Sequence, residues 1–98
     1  MEPELSEYID RRSAALEAVR GILIDNLHVQ ARPDAIDPDA PMFGTGLALD
    51  SVDALELVVA SEAAFGVVIP QDALRQNLRT VNTLIDLLFD LQDAARPR

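Results

Sequence analysis

The sequence predicts an all-α fold, an antiparallel four-helix bundle with a long first loop and a short third helix. Three observations predict it. Apolar residues recur at helical spacing in separate stretches of the chain. Proline, glycine and cap-forming residues divide those stretches from one another. The one β-branched run, Val67-Val68-Ile69, has no second strand to pair with.

The first helix is expected from near residue 6 to near residue 28. Ser6 is a plausible N-cap with Leu5 before it, and Ile9, Leu16, Val19, Leu23 and Leu27 recur with Ile22 beside them. Gly21 weakens this stretch by about 1 kcal/mol relative to alanine. A break over residues 10–13, with Ser13 as a second cap, is equally defensible. From Val29 to Asp50 no period holds. Pro33, Pro38 and Pro41 lack amide donors, Asp34, Asp37 and Asp39 favour turns, and Gly44 and Gly46 add freedom. This reads as a long ordered loop pinned by Ile36, Met42 and Phe43, with room for a short helical turn.

The second helix starts at Asp50 or Ser51, with Asp50 as cap and Asp53 in the first turn, where carboxylates suit the positive end of the dipole. Leu55, Val58 and Phe65 give its expected core stripe, with Leu57 at the side, and Gly66 stops it. Pro70 and Asp72 open a brief helix from Gln71 to about Asn77. Thr80 caps the last helix, where Val81, Leu84, Ile85, Leu88 and Leu91 face inward and Leu87 and Phe89 fall outside the stripe. Short connections between such helices lead to a bundle.

Ninety-eight residues suit one domain. With no cysteine, disulfides and thiolate metal sites are excluded, which fits a reducing, cytoplasmic setting. No apolar run approaches the roughly 20 residues a membrane span needs. The acidic start, Met1-Glu-Pro-Glu-Leu-Ser-Glu, lacks the basic end and apolar centre of a secretory signal. The formal charge is -9 and every basic residue is arginine. Such a chain repels nucleic acid and anionic lipid, so partners with basic patches are expected. His28, the one histidine, has no ligand partners at metal spacing and reads as a surface residue at a helix end.

The chemistry concentrates at Leu47-Ala-Leu-Asp-Ser-Val-Asp-Ala-Leu-Glu-Leu57. Ser51 follows Asp50 where loop becomes helix, and no basic or activating side chain lies within a helical turn. A serine that performs its own chemistry needs a base and an oxyanion hole. Ser51 therefore reads as a residue modified by another protein. The unpartnered amides of a first helical turn favour a phosphate on that oxygen, and Asp50 is placed to hold a divalent ion bridging to it.

The pattern Leu-x-x-Asp-Ser-x-Asp-x-x-Glu-Leu, followed by Phe65-Gly-Val-x-Ile-Pro70 and by Thr-Val81, resembles the acyl carrier proteins over roughly residues 13–92. The resemblance implies that Ser51 receives 4′-phosphopantetheine from coenzyme A, through a phosphopantetheinyl transferase that uses magnesium, with Asp50 as the matching acid. It implies a recognition face at Val52, Asp53, Glu56, Val59 and Glu62. It also implies an acyl channel at Phe43, Val58, Ser61, Ile69, Ala73, Leu78 and Leu84, although ordinary core packing accommodates the same residues. Residues 1–12 exceed a minimal carrier. They form an N-terminal extension, helical or packed on the last helix, where Leu5, Tyr8 and Ile9 are placed to cover Leu87 and Phe89. Residues 93–98 form a C-terminal tail.

Departures point to a specialised branch. Ser61 stands where many fatty-acid carriers have a large apolar residue, placing a hydroxyl at the channel mouth, and Ala63 and Ala64 stand where they often have glutamate. Leu49 and Ala48 replace the usual small residue and glycine before Asp50. The expected function is a discrete, monomeric, non-catalytic acyl carrier. It serves acyl-loading, elongating or acyl-transferring enzymes of a specialised fatty-acid, lipid or polyketide-like pathway. A D-alanyl or peptidyl carrier is an alternative, although the Gly-Gly usual before the serine of peptidyl carriers is missing. A carrier-like acidic interaction module without the arm is another. A hydrolase is distant, since no Gly-x-Ser-x-Gly elbow exists.

Overall fold

The computed structural model describes residues 3–43, 47 and 49–95, apart from the side chains of Pro3, Arg75 and Gln76. The freedom expected at Gly44 and Gly46, the departure at Ala48, and the ends 1–2 and 96–98 of the expected extension and tail lie outside the described residues. Four helices follow in order: α1 (Pro3–Asp25), α2 (Ser51–Phe65), α3 (Gln71–Asn77) and α4 (Val81–Ala95), with one 3-10 turn (Pro33–Ala35) in the long loop. No strand forms among the described residues; a single bridge pairs Phe43 with Leu49. The all-α bundle expected from the sequence is the fold observed.

α1 is one unbroken helix. Ser6 lies inside it rather than capping it, and the break at 10–13 does not occur. Proline is tolerated in a first turn, where its missing N–H has no helical partner. Continuity through 10–13 has a tertiary cause: Arg11 and Arg12 both dock on α4. Arg11 donates to Gln92 Oε1 at 2.8 Å, and Arg12 pairs with Asp86 at 2.6 Å and donates to the Asn82 carbonyl at 3.2 Å. Ala15, Val19, Ile22, Leu23 and Leu27 are buried, whereas Leu5, Tyr8 and Ile9 stay substantially exposed. His28 follows the helix in the left-handed region, at φ 60°.

The long loop is held to both sides of the bundle. Arg20 donates from Nη2 to the Ile36 carbonyl at 2.8 Å, tying it to α1. Met42 N–H donates to the Arg79 carbonyl at 2.9 Å and Asn82 N–H to the Pro38 carbonyl at 3.0 Å, tying it to the start of α4. Ile36 and Met42 are buried, as expected, and Phe43 is partly so.

α2 carries the main correction. Leu55, expected in the core stripe, is 66% exposed, while Leu57 and Ser61 are fully buried. Ala54, Val58 and Phe65 are half-buried against the core. Leu55, Leu57, Val58 and Val59 surround the helix with apolar side chains, so composition alone leaves its rotation open by a turn fraction. Ser61 falls on the buried side and its Oγ has no hydrogen-bond partner among the described residues. It is therefore in the core, not at a channel mouth. Gly66 ends α2 at φ 67°, ψ 38°, a conformation that favours glycine. Glu62 then accepts from Ile69 N–H at 2.8 Å, and Gln92 donates to the Phe65 carbonyl at 3.0 Å. These two bonds close the end of α2 onto the connection to α3 and onto α4.

α4 begins as the sequence predicts. Thr83 N–H donates to Thr80 Oγ1 at 3.1 Å, and Thr80 N–H donates back to Thr83 Oγ1 at 3.0 Å. Val81, Leu84, Ile85 and Leu88 are buried. Leu87 and Phe89 are buried as well, although they fall outside the inward stripe. α1 is the reason. Arg11 stacks 3.9 Å from the Phe89 ring centroid, and Tyr8 meets the same ring edge-on at 6.4 Å.

Candidate functional site

Local chemistry fixes where Ser51 stands. Asp50 is in extended conformation at φ -108°, ψ -174°, and caps α2. Its carboxylate accepts from Asp53 N–H at 2.9 Å, and Asp53 Oδ2 accepts from Asp50 N–H at 3.0 Å. This reciprocal capping satisfies two donors that would otherwise lack partners. The Asp53 N–H bond, outweighing partial desolvation, holds the Asp50 carboxyl below the usual carboxylate range. An ionised, exposed carboxylate therefore sits immediately before Ser51. Ser51 is the first residue of the helix and is exposed. No described group hydrogen-bonds to its hydroxyl. His28 lies instead in a separate hollow with Leu49 and Asp53. Ser51 thus has no base poised to activate it among the described residues.

Beside Ser51 opens a cleft of about 810 Å³ between α2, α3 and the long loop. That volume is within the ordinary ~300–1,000 Å³ of small-molecule pockets. Its α2 wall includes Ser51, Leu55, Val58, Val59 and Glu62, which fall at i, i+4, i+7, i+8 and i+11. A helix places such positions on one face. The core face of α2, through Leu57 and Ser61, lies next to this stripe. One helix therefore seals the bundle with one side and lines an open apolar groove with the other.

Four of the seven channel candidates, Phe43, Val58, Ile69 and Leu78, line this cleft. The other three do not. Ser61 and Leu84 are fully buried in the bundle, and Ala73 is half-buried on α3 outside the lining. Sequence reasoning missed Ala54, Leu55, Leu74, Gln71, Arg79 and Pro41 as lining residues. Counting helical turns from Ser51 would have found Leu55; for Arg79 no sequence signal exists. Of the recognition-face candidates, Val52 is 67% and Val59 58% exposed, and Glu56 is exposed beside them. Asp53 is occupied in the cap and Glu62 in the Ile69 bond, so both carboxylates carry structural duties as well.

The site therefore presents an exposed hydroxyl at a helix start, a neighbouring carboxylate and an adjoining apolar groove. No metal-binding cluster of His, Cys, Asp and Glu occurs among the described residues. Residues 17–88 match a family described as "Phosphopantetheine attachment site". The chain is also 39% identical over 77 residues to a protein named acyl carrier protein from Thermosynechococcus vestitus (strain NIES-2133 / IAM M-273 / BP-1), covering 79% of this chain and 90% of that relative. An exposed serine offered without catalytic apparatus is what covalent attachment of phosphopantetheine requires, and this chain belongs to the acyl carrier protein family, whose members are carriers rather than enzymes.

Proposed function

We propose that Ser51 is the attachment residue, and that the chain presents acyl groups as thioesters to enzymes of a specialised fatty-acid, lipid or polyketide-like pathway in the cytoplasm. The observation that carries this reading is the position of Ser51, exposed at the first turn of α2 and on the rim of the apolar cleft. The 4′-phosphopantetheine arm supplies a thiol for the thioester. The chain supplies the rest. Ser51 Oγ forms the bond to phosphorus as the nucleotide half of coenzyme A leaves, and its proton passes to the transferase. Asp50, kept ionised by Asp53 N–H, contributes a carboxylate toward the magnesium ion of that reaction. The cleft gives an apolar acyl chain a groove that needs no opening of the core. Residues 13–92 form the carrier domain, and residues 1–12 act as an extension whose Tyr8 and Arg11 shield Phe89.

Incubation with coenzyme A, magnesium and a phosphopantetheinyl transferase tests the reading by intact mass. One arm's mass is expected on the wild-type chain and none on Ser51→Ala. An unchanged wild-type mass, or an equal gain in the variant, overturns it.

The recognition face is tested by charge reversal. Glu56 is exposed and its side chain makes no hydrogen bond among the described residues, so Glu56→Arg is expected to leave α2 intact by circular dichroism. It is expected to slow modification several-fold at low salt, because rim charges mainly set encounter rate. The effect fades as salt rises. Equal rates at low salt place the transferase contact elsewhere.

A further inference from the structure

From its place in the cleft, we infer that Arg79 is a positioning residue for the phosphodiester anion that attachment brings to Ser51. The inference rests on the attachment proposed above. Arg79 and Ser51 line the same cleft, and Arg79 is the one cationic residue on its lining among the described residues.

The pairing of the other arginines sets Arg79 apart. Five arginines have described side chains. Arg11, Arg12, Arg20 and Arg32 are ion-paired with Asp93, Asp86, Glu17 and Asp34. Arg79 makes no side-chain hydrogen bond or ion pair among the described residues and is exposed. Its backbone, by contrast, is fixed. The Arg79 carbonyl accepts from Met42 N–H at 2.9 Å, and the next residue, Thr80, is held by the reciprocal bonds with Thr83. A fixed backbone thus carries an uncommitted arginine side chain at the cleft.

The surrounding charges make an anion the fitting ligand. The nearby carboxylates have partners already: Asp50 and Asp53 bond each other's amides, and Glu62 accepts from Ile69 N–H. The chain's formal charge of -9 disfavours a phosphodiester anywhere on its surface. At Ser51 two features oppose that field, the positive end of α2 and Arg79. Guanidinium also pairs with phosphate oxygens in a planar, two-pronged geometry. Arg79 therefore draws the base of the arm toward the cleft, and the remainder of the arm follows along the apolar wall.

The test uses wild type, Arg79→Gln and Arg79→Lys, each converted fully to the modified form as judged by mass. Two readings follow on the isolated proteins: the 31P resonance of the phosphodiester, and the rate at which the arm's thiol reacts with a disulfide reagent. Arg79→Gln is expected to move the 31P line and to raise thiol reactivity about two- to fivefold at low salt, the range of an exposed ion pair. Arg79→Lys retains the charge and stays nearer wild type. The difference collapses at 1 M salt, where screening reaches ~3 Å. Identical 31P shifts and thiol rates in wild type and Arg79→Gln overturn the role of Arg79 while leaving attachment standing. An unmodified wild-type chain overturns both.

Discussion

Leu84→Ala is expected to lower the unfolding free energy by about 2–5 kcal/mol, the usual cost of hollowing a closed core. Leu74→Ala is expected to cost less, about 1–2 kcal/mol, since a partly buried leucine gives up only part of its transfer energy. The two residues separate two functions within one small bundle. Leu84, on α4, is fully buried in the core and lines no cleft, whereas Leu74 is partly buried and lies on the cleft wall. If acyl chains rest in the existing groove, the core beneath it need not open for cargo, and core and groove mutations produce different phenotypes. Leu84→Ala reduces stability. Leu74→Ala leaves the fold nearly intact and reduces whatever protection the groove gives an attached acyl chain. Urea unfolding followed by circular dichroism checks the first statement, with a lower midpoint and unchanged slope. Comparable losses in the two variants mean that core and groove are one compartment, and the distinction fails.

The sequence made the ends of α2 and the start of α4 legible because these ends depend on short-range chemistry, whereas α1 starts at Pro3, ahead of the Ser6 cap that the sequence suggested. Asp50 and Asp53, Thr80 and Thr83, and Gly66 each satisfy or stop a helix through atoms three or four residues away. The rotation of α2 was less legible. Apolar residues lie on nearly every side of it, and only packing against α1 and α4 chooses Leu57 and Ser61 for burial and leaves Leu55 in the groove. Ser61 shows the same limit. A serine reads as a surface residue in sequence, yet its position on the packed face buries an Oγ without a partner among the described residues, at a cost of the order of 1–3 kcal/mol. Arg79 was not legible at all. Its meaning comes from sharing a cleft with a residue 28 positions earlier and from lacking the partners that the other described arginines have. Ser51 and Asp50 stood out because their conformation is local: an N-cap and the first residue of the helix it caps.

Phe89→Ala is expected to cost about 3–5 kcal/mol, a large share of the roughly 5–15 kcal/mol available to a domain. Phe89 is 6% exposed, yet the period of α4 alone leaves it outside the inward stripe. Its burial is supplied by the first half of α1, with Arg11 3.9 Å from the ring centroid and Tyr8 edge-on at 6.4 Å. Arg11 also reaches Gln92 and Asp93, and Arg12 reaches Asp86 and Asn82. The start of α1 is thus fastened by a ring and flanking polar contacts, while Leu5 and Ile9 remain substantially exposed. A double-mutant cycle separates cavity from stacking. Phe89→Leu keeps most of the volume and removes the ring face; Arg11→Ala removes the cation. If the guanidinium recognises the ring, the two changes couple by roughly 0.5–2 kcal/mol. If Arg11 acts only through Gln92 and Asp93, its loss is the same with phenylalanine or leucine at 89. Denaturant midpoints of the four proteins decide between these outcomes, and with them whether the first half of α1 is an integral wall of the bundle or a segment held at its surface by salt-sensitive pairs.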